Sequence, residues 1–381
     1  MNFLVTGGWC RTSLALIHSL PSDSVIIVGS HYNFSMSFYT KRTVKSVIYD
    51  DPELNPNSYI SDIRKIVAKY KVDVIIPSLE EGFVIAKFVD LFAGVSVRFP
   101  SFEKIDLLSD KFKFYEFCVT NNFPVANGRY INTSELTVPS TIEFLKSRCV
   151  LKRQFSNGGK GVYDSKFLDK NFASKFKVDE KILVQNFVEG YGLTVEGIWD
   201  GSNCDCLTVR KTYRFKKPIG GAAVIIQNSV HVKAVDISRS IMGKLDFRGP
   251  AQVEFIIDAN DLPILIEINP RWWGTTPFNY NIGRNFSNYL VNDVIQNSVH
   301  EYSECNVGVW YLGFFASLFT YNFKSTIKLI FTRSLFPRGK VVPIDIVEND
   351  LFPFLVQFLS YPFNVLISTL KGAKRVVLKD N

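Results

Sequence analysis

The sequence of 381 residues is poor in the two residue types that most often bind zinc or crosslink a chain. It contains six cysteines and four histidines. Among the cysteines only Cys204 and Cys206 lie close together, and no histidine is near them in the sequence. We therefore expect neither a zinc site nor a disulfide framework, but reduced thiols in a cytosolic protein.

Three nucleotide- and nucleic-acid-binding signatures are absent as well. No dense lysine and arginine tract is interleaved with stacking aromatics, which argues against nucleic acid as a partner. The glycines of TGG (residues 6–8) lack the G-x-G-x-x-G spacing, and no acidic residue closes the next apolar run, VIIVG. A structural or substrate-facing turn explains them, and an NAD-dependent oxidoreductase stays an alternative. The Walker pattern G-x-x-x-x-G-K-S/T is also missing.

The chain starts directly with an apolar, strand-like segment and lacks the regions of a signal peptide, so a cytoplasmic location is expected. Its length exceeds what one compact core accommodates, and we expect two or three subdomains. The 44 lysines and arginines outnumber the 36 acidic residues. The resulting net charge of +8 suits an anionic ligand such as a nucleotide, or an anionic membrane surface.

Residues 1 to about 100 alternate between strand-like and helix-like segments. FLVTGG, VIIVG and VDVIIPS are apolar runs, and Ile60, Ile63, Val67 and Tyr70 share one helical face. This alternation predicts a parallel, Rossmann-like sheet. The later half contains successive strand-like runs, among them AQVEFIID and PILIEIN, and is predicted to be antiparallel. A mixed α/β protein follows from the two patterns together.

The strand-like runs AQVEFIID and PILIEIN are predicted to form a hairpin, and polar residues interrupt the second of them. Glu267, Asn269 and Arg271 occupy alternate positions in LIEINPRWWG, and Glu254 lies on the first strand. Pairing around the turn brings the two carboxylates together, where they repel unless a cation or proton lies between them. Three oxygen ligands from Glu254, Glu267 and Asn269, with room for phosphates and water, predict a Mg²⁺ site. Surface carboxylates on an edge hairpin are the alternative.

A glycine loop, QFSNGGKGV (residues 154–162), lies between two predicted strands. Such a loop offers backbone N–H groups to phosphate oxygens, and Lys152 just before it can reach a phosphate as a point charge. Taken alone, the loop is equally explained as an ordinary turn.

The order of these motifs resembles the ATP-grasp superfamily. Lys111 at a predicted helix start, a strand lysine with a glycine loop, VQNFVEG and the E…E-x-N-x-R pattern follow one another within roughly residues 1–290. Within the superfamily, LVTGG, IIPSLEEGF and EINPRWWG resemble carbamoyl-phosphate-synthetase-like carboxylate–amine ligases, including uncharacterised members associated with polysaccharide gene clusters.

The resemblance implies a domain order and a reaction. A Rossmann-like domain would occupy residues 1–105, an ATP-grasp domain residues 106–300 with its lid at about 150–190, and an apolar-rich extension residues 301–381. The implied enzyme uses ATP and Mg²⁺, or alternatively Mn²⁺, to activate a small-molecule carboxylate as an acyl phosphate. An amine then attacks, and ADP and phosphate are released. A catalytically inactive nucleotide-binding scaffold or membrane-surface protein of this fold is the alternative.

The resemblance also assigns residues to the nucleotide. Lys111 and Lys152 would contact the phosphates of ATP. Gln185 and Val188 would hold adenine, Val188 through its backbone. The residues implied for a flexible lid are Gly158, Gly159 and Gly161. Gly192 stands where many relatives have a ribose-binding glutamate, so that Glu189 or Glu196 is expected to replace it.

The metal and the reacting groups are assigned in the same way. Glu254, Glu267 and Asn269 match the metal ligands, and Arg271 matches the arginine that steadies the carboxylate and the acyl phosphate. Lys211 is the catalytic candidate in a basic cluster, for which a solvated strand face is the alternative. The cluster comprises Arg210, Lys211, Arg214, Lys216 and Lys217.

Three further segments leave alternatives open. Glu80 and Glu81 follow an apolar strand at a helix start, where they either recognise an amine or need no ligand. Trp272 and Trp273 either wall the substrate pocket or pack in the core. Residues 351–370 carry no charge and predict a core-docked or interface-lying segment with peripheral membrane contact, rather than a span. A homodimer is also left open.

Overall fold

The computed structural model describes residues 1–155, 161–167, 176–177, 179–214, 222–318 and 339–360. In its first part, short apolar strands alternate with helices. The strands are β1 (Asn2–Val5), β2 (Val25–Ser30), β3 (Lys45–Ile48), β4 (Val74–Ile76) and β5 (Ser96–Val97). The helices are α1 (Arg11–Ser19), α2 (Pro56–Tyr70) and α3 (Glu81–Lys87). All five strands are parallel, in the order β3-β2-β1-β4-β5, which confirms the predicted Rossmann-like sheet.

The helical face predicted in α2 faces the core of this sheet. Ile60 and Ile63 are buried, together with Tyr59 and Ile66, against strand residues such as Leu4. The strand order reverses between β1 and β4, so the carboxyl ends of these two strands border a crevice.

A second, smaller sheet follows two helices, α4 (Phe102–Ser109) and α5 (Lys111–Thr120). Its strands are β6 (Gly128–Asn132), β7 (Cys149–Arg153), β8 (Val162–Asp164) and β9 (Lys181–Asn186), with α6 (Pro139–Lys146) between β6 and β7. They pair antiparallel in the order β6-β9-β7-β8. The glycine loop therefore joins two paired strands, β7 and β8, as the sequence predicts.

The third sheet has eight strands. They are β10 (Tyr191–Asp200), β11 (Asn203–Arg214), β12 (Ala223–Ser229), β13 (Arg248–Ile257), β14 (Pro263–Asn269), β15 (Ser298–His300), β16 (Asn306–Val309) and β17 (Lys340–Pro343). The accompanying helices are α7 (Val232–Lys244), α8 (Thr276–Asn281), α9 (Ser287–Asn292) and α10 (Tyr311–Leu318). Residues 351–360 are also helical.

The antiparallel prediction holds for β10 to β14 and is wrong for two later strands. β15 pairs parallel with β11, and β17 pairs parallel with β16; neither pair is joined by a hairpin turn, which would have made it antiparallel. Since β16 pairs with β12 of the same sheet, residues beyond 300 continue the sheet of the preceding segment. The limits 1–105, 106–300 and 301–381 stay a prediction.

One face of the large sheet is the main core and the other is polar. Leu193, Val195, Val253 and Phe255 point into the core cluster, where α7 also packs. Side chains alternate across a strand, so Thr194, Glu196, Gln252 and Glu254 lie on the opposite face. This polar face carries the candidate site.

The positions of Trp272 and Trp273 decide between a pocket wall and core packing. Both are fully buried and pack in a cluster with Phe3 and Val5 of β1 and Phe286. They are core residues that join the large sheet to the Rossmann-like part, and they do not wall an open pocket. In the described part of the chain, no helix is both long and apolar enough to cross a membrane.

Candidate active site

The hairpin of β13 and β14 sets the geometry of the site. Asp258 accepts backbone hydrogen bonds from Asn260 and Leu262 at 2.9 Å each, which closes the turn. The resulting register places Glu254 opposite Glu267 and Gln252 opposite Asn269. Directly opposite residues share a face, so the two carboxylates predicted to meet do so.

Glu254 is neutralised by a lysine from β11. Lys211 Nζ donates to Glu254 Oε2 at 2.5 Å, and both side chains are largely buried. Burial opposes ionisation of Glu254, yet the charges of Lys211, Arg214 and Arg271 outweigh it and lower the pKa of Glu254. The carboxylate is therefore ionised and surrounded by cations, which disagrees with a merely solvated strand face for Lys211.

Arg214, a member of the predicted basic cluster, explains why residue 192 is a glycine. A Cβ added to Gly192 would lie 2.7 Å from an Nη atom of Arg214, so the guanidinium occupies the space a side chain would need. The glycine at position 192, where many relatives have a glutamate, therefore leaves room for a residue of the basic cluster. Lys216 and Lys217, from the same cluster, lie outside the described residues.

Two lysines approach the carboxylates from other elements. Lys111 is the first residue of α5, whose cap Asp110 accepts from the backbone of Phe112 and Lys113. Burial lowers the pKa of Lys111, and the charge of Glu267 partly opposes this. The backbone N–H of Lys111 donates to the carbonyl of Gln154, which ties α5 to the end of β7.

Lys152 is the more strongly perturbed of the two lysines. Burial outweighs the opposing charge of Glu267 and, together with the nearby charge of Lys111, lowers the pKa of Lys152 to about 8. A lysine held in a dry site beside another lysine favours an anionic ligand, because an anion would relieve both penalties. The structure thus brings Lys111, Lys152 and Glu267 together from α5, β7 and β14.

The residues predicted to bind adenine lie on β9 and just after it. Gln185 is buried and donates from Nε2 to the carbonyl of Ala126 at 2.9 Å. Val188 is half-buried just after β9, and Glu189 is largely exposed, 3.9 Å from Arg148. Gly161 has φ of 75°, and its carbonyl accepts from the backbone of Arg153. Gly158 and Gly159 lie outside the described residues.

Glu196 does not suit a ribose contact. It is fully buried and accepts four hydrogen bonds from neutral side chains: Thr194, Gln252, Thr275 and Asn279. Burial raises the pKa of Glu196, and the four donors partly offset the rise. Of the two replacements expected from the sequence, Glu189 is the one that reaches solvent.

Gln252 links Glu196 to the carboxylate pair, a role that the motif pattern missed. It donates to Glu196 at 3.0 Å and its Oε1 lies 3.4 Å from Asn269 Nδ2, which also lies 3.3 Å from Glu254. The sequence could have indicated this role, because Gln252 lies two residues before Glu254 in AQVEF and alternate residues of a strand share a face.

Arg271 bridges the hairpin and the Rossmann-like sheet. Its Nε lies 2.9 Å from Glu80 Oε1, and an Nη atom donates to the carbonyl of Trp272. Glu80 is the residue just before α3 and follows the carboxyl end of β4, at the crevice where the strand order reverses.

Glu81 has a different environment from its neighbour. It is buried and accepts from Thr6 Oγ1 and from the backbone N–H groups of Ser78 and Leu79. Burial raises the pKa of Glu81, against which these hydrogen bonds act. Of the two open alternatives, Glu81 fits the one that needs no ligand.

The backbone N–H groups of the two glycines in the Thr6-Gly7-Gly8 turn have hydrogen-bond partners within the protein. The Gly7 N–H donates to Tyr49 Oη and the Gly8 N–H to the carbonyl of Gly29, both at 2.9 Å. A Cβ on Gly7 would lie 2.7 Å from Glu81 Oε1, so a carboxylate lies against the turn. The backbone N–H groups of Gly7 and Gly8 are already hydrogen-bonded and lie beside a carboxylate, so the turn is poorly suited to bind a pyrophosphate. This disfavours the NAD-dependent alternative.

The donor set suits a hard divalent cation that is completed by other ligands. Glu254 and Glu267 supply carboxylate oxygens, and Asn269 supplies a neutral amide oxygen. Within the described residues, no group of three or more His, Cys, Asp or Glu side chains could hold a metal ion. Phosphate and water oxygens would therefore have to complete the coordination.

Part of the sequence is similar to known proteins. Residues 108–275 match the family model described as an ATP-grasp domain. The carbamoyl phosphate synthase large chain of Clostridium acetobutylicum is 24% identical over 231 residues, 58% of this chain and 22% of the relative. The chain spans about a fifth of the length of the curated relatives it matches.

Solved structures share the fold. N5-carboxyaminoimidazole synthetase from Staphylococcus aureus, complexed with ADP, has a TM-score of 0.60 at 14% identity, covering 80% of this chain and 81% of that one. The biotin carboxylase domain of 2-oxoglutarate carboxylase from Hydrogenobacter thermophilus, in complex with MgADP and bicarbonate, has a TM-score of 0.61 at 12% identity, covering 80% and 73%. The resemblance and the fold class predicted from the motif order are confirmed.

Proposed function

We propose that this chain, which contains an ATP-grasp domain with homology to carbamoyl phosphate synthase large chains, is an ATP- and Mg²⁺-dependent ligase that joins a carboxylate to an amine. The observation that supports this most is the direct register of Glu254 and Glu267, with Asn269 beside them and cations on both sides. Two adjacent carboxylates among several basic groups suit a metal-bound polyphosphate.

In this proposal the lysines bind the nucleotide and the hairpin binds the metal. Lys111 and Lys152 neutralise phosphate oxygens from a buried position, where each charge acts through a low dielectric. Glu254, Glu267 and Asn269 hold Mg²⁺, which neutralises charge on the transferring phosphoryl group when bound. Gln185 and Val188 line the adenine side.

The reaction then proceeds in two balanced steps. A carboxylate oxygen of the substrate attacks the γ-phosphorus, the bond to the β-phosphate oxygen breaks, and ADP leaves. The amine nitrogen attacks the acyl carbon, the carbon–oxygen bond to phosphate breaks, and inorganic phosphate leaves with loss of a proton from nitrogen. Arg271 offers charge to the carboxylate and the acyl phosphate, and Lys211, which pairs with Glu254, would offer a second positive charge to them.

The test is nucleotide turnover that depends on a pair of substrates. Purified protein with ATP and Mg²⁺ should release ADP and phosphate only when a suitable carboxylate and an amine are both supplied from a matrix of amino acids and sugar-linked acids. Glu267→Gln is the inactive control. AMP with pyrophosphate as products would contradict the acyl-phosphate route. Tight ATP binding without turnover across the matrix would favour the scaffold alternative.

A further inference from the structure

The helical residues 351–360 expose an apolar face to solvent. Their large exposed side chains are Leu351, Phe352, Leu355, Phe358 and Leu359, which are between 47% and 70% exposed. At 3.6 residues per turn these positions fall within one arc of about 120°. Pro353 and Ser360, on the opposite side, are buried. The helix therefore has an inverted pattern, with its most apolar arc facing outward, and we call this arc the apolar face.

The start of this helix is firmly attached to the Rossmann-like part. Glu348 pairs with His18 at 2.9 Å and also accepts from Tyr280, while Asp350 accepts from Thr40 at 2.8 Å. The helix is consequently held in a defined orientation. The two acidic side chains that precede it are engaged in these contacts instead of lying on the apolar face.

Tyr39 and Lys41 lie beside the start of the apolar face. Phe352 contacts Tyr39, with ring centroids 5.7 Å apart, and the backbone N–H of the exposed Lys41 donates to Asp350. The sequence continues after residue 360 without a charge until Lys371, which Lys374 and Arg375 follow closely. Apolar side chains beside a tyrosine and a lysine, in a segment that three basic residues follow in the sequence, have the composition of a surface that enters the interface of an anionic bilayer.

We infer that the apolar face docks the protein on the surface of an anionic lipid bilayer, with its side chains entering the headgroup region. The association that we propose is peripheral, through this face alone. Lys41 beside the face, the basic residues that follow in the sequence and the net charge of +8 favour anionic over neutral lipid. The inference is independent of the chemistry proposed for the site, and vesicle binding tests it separately from turnover.

The experiment uses the full-length chain and sedimentation with two vesicle types, phosphatidylcholine alone and phosphatidylcholine mixed with phosphatidylglycerol. Wild type should bind the mixed vesicles and be released as salt concentration rises. Leu355→Ser with Phe358→Ser should lower the partition coefficient about 30-fold, because each half-exposed side chain loses part of its apolar transfer. The matched control is Phe34→Ser with Leu262→Ser, two exposed apolar residues elsewhere, which should bind like wild type.

Any of four results would overturn the inference. Wild type could fail to bind the mixed vesicles, or the double variant could bind them as well as the control does. A dimer in sedimentation velocity that the double variant dissociates, without vesicle binding, would make the face an interface between copies. A large loss of thermal stability in the double variant alone, without vesicle binding, would mean that the chain itself covers the face.

Discussion

Lys152 shows how a single buried charge couples pH to ligand binding. Its pKa in the folded protein is about 8, down from an ordinary value of 10.5, because burial penalises the ammonium form. The lysine is therefore mostly charged at neutral pH and loses its proton as the pH rises past about 8. A polyphosphate bound beside it would hold the proton to higher pH.

The first prediction follows from this shift. Affinity for Mg·ATP should fall by up to tenfold per pH unit above about pH 8, until the pKa of the complex is reached, because binding then requires uptake of a proton. Isothermal titration between about pH 6.5 and pH 9.5 measures the slope. Lys152→Arg, which stays charged, should remove the decline. A wild-type affinity that is constant through this range would contradict the role of Lys152.

The second prediction separates the metal site from the reacting site. Glu267→Gln keeps the shape but removes a negative charge, so phosphoryl transfer should fall by at least about 100-fold, while the fold survives because one of two neighbouring carboxylates is gone. Arg271→Ala should leave Mg·ATP binding nearly unchanged and lower the yield of ligated product. Equal and mild effects of both substitutions, measured as ADP and product formed, would indicate a structural hairpin.

At the scale of the element, the β13–β14 hairpin could be predicted because its turn and its alternating polar residues are local. The sequence could not show that Lys211 and Arg214 converge on Glu254. That depends on the register of β11 and on irregularities in its pairing after Lys211. The two parallel strands β15 and β17 were missed for a related reason, since short strands give no signal of their direction.

Glu196 illustrates the same limit. A carboxylate on an apolar strand looked available to a ribose, but Thr275 and Asn279 from the start of α8 enclose it. Strand alternation places a side chain on a face, whereas only tertiary packing decides whether that face is open at this position.

The third prediction concerns the network that supports the hairpin. Gln252→Met should raise the Mg²⁺ concentration needed for half-maximal activity about tenfold, because Asn269 loses a neighbour that orients it. Saturating Mg²⁺ should restore most of the rate. Asn228→Ala is the control, since it removes a buried amide of the same sheet that bonds Glu304 and Asn306. A loss of stability with an unchanged Mg²⁺ requirement would reduce Gln252 to a packing role.

At the scale of the whole molecule, two of the contacts between the Rossmann-like part and the large sheet lie beside the site. One is apolar, where Trp272 and Trp273 pack with Phe3 and Val5. The other is the ion pair between Arg271 and Glu80, at the point where the strand order of the parallel sheet reverses. The sequence predicted both sheets but not their contact, because contacts across subdomains leave no periodic pattern.

The adjacent residues Glu80 and Glu81 allow this contact to be tested. Glu80→Ala should lower kcat for ligation at least about tenfold with little change in melting temperature or Mg·ATP affinity, because Arg271 loses the partner that orients it. Glu80→Gln, which can still accept from Arg271, should recover part of the rate. Glu81→Ala should instead destabilise the fold by about 2–4 kcal/mol, because it strands the buried donors of Thr6, Ser78 and Leu79. Melting curves and steady-state kinetics on the three variants decide the matter. If Glu80→Ala also unfolds early and keeps its kcat, the ion pair is only a brace between the two sheets, and the crevice at β4 takes no part in ligation.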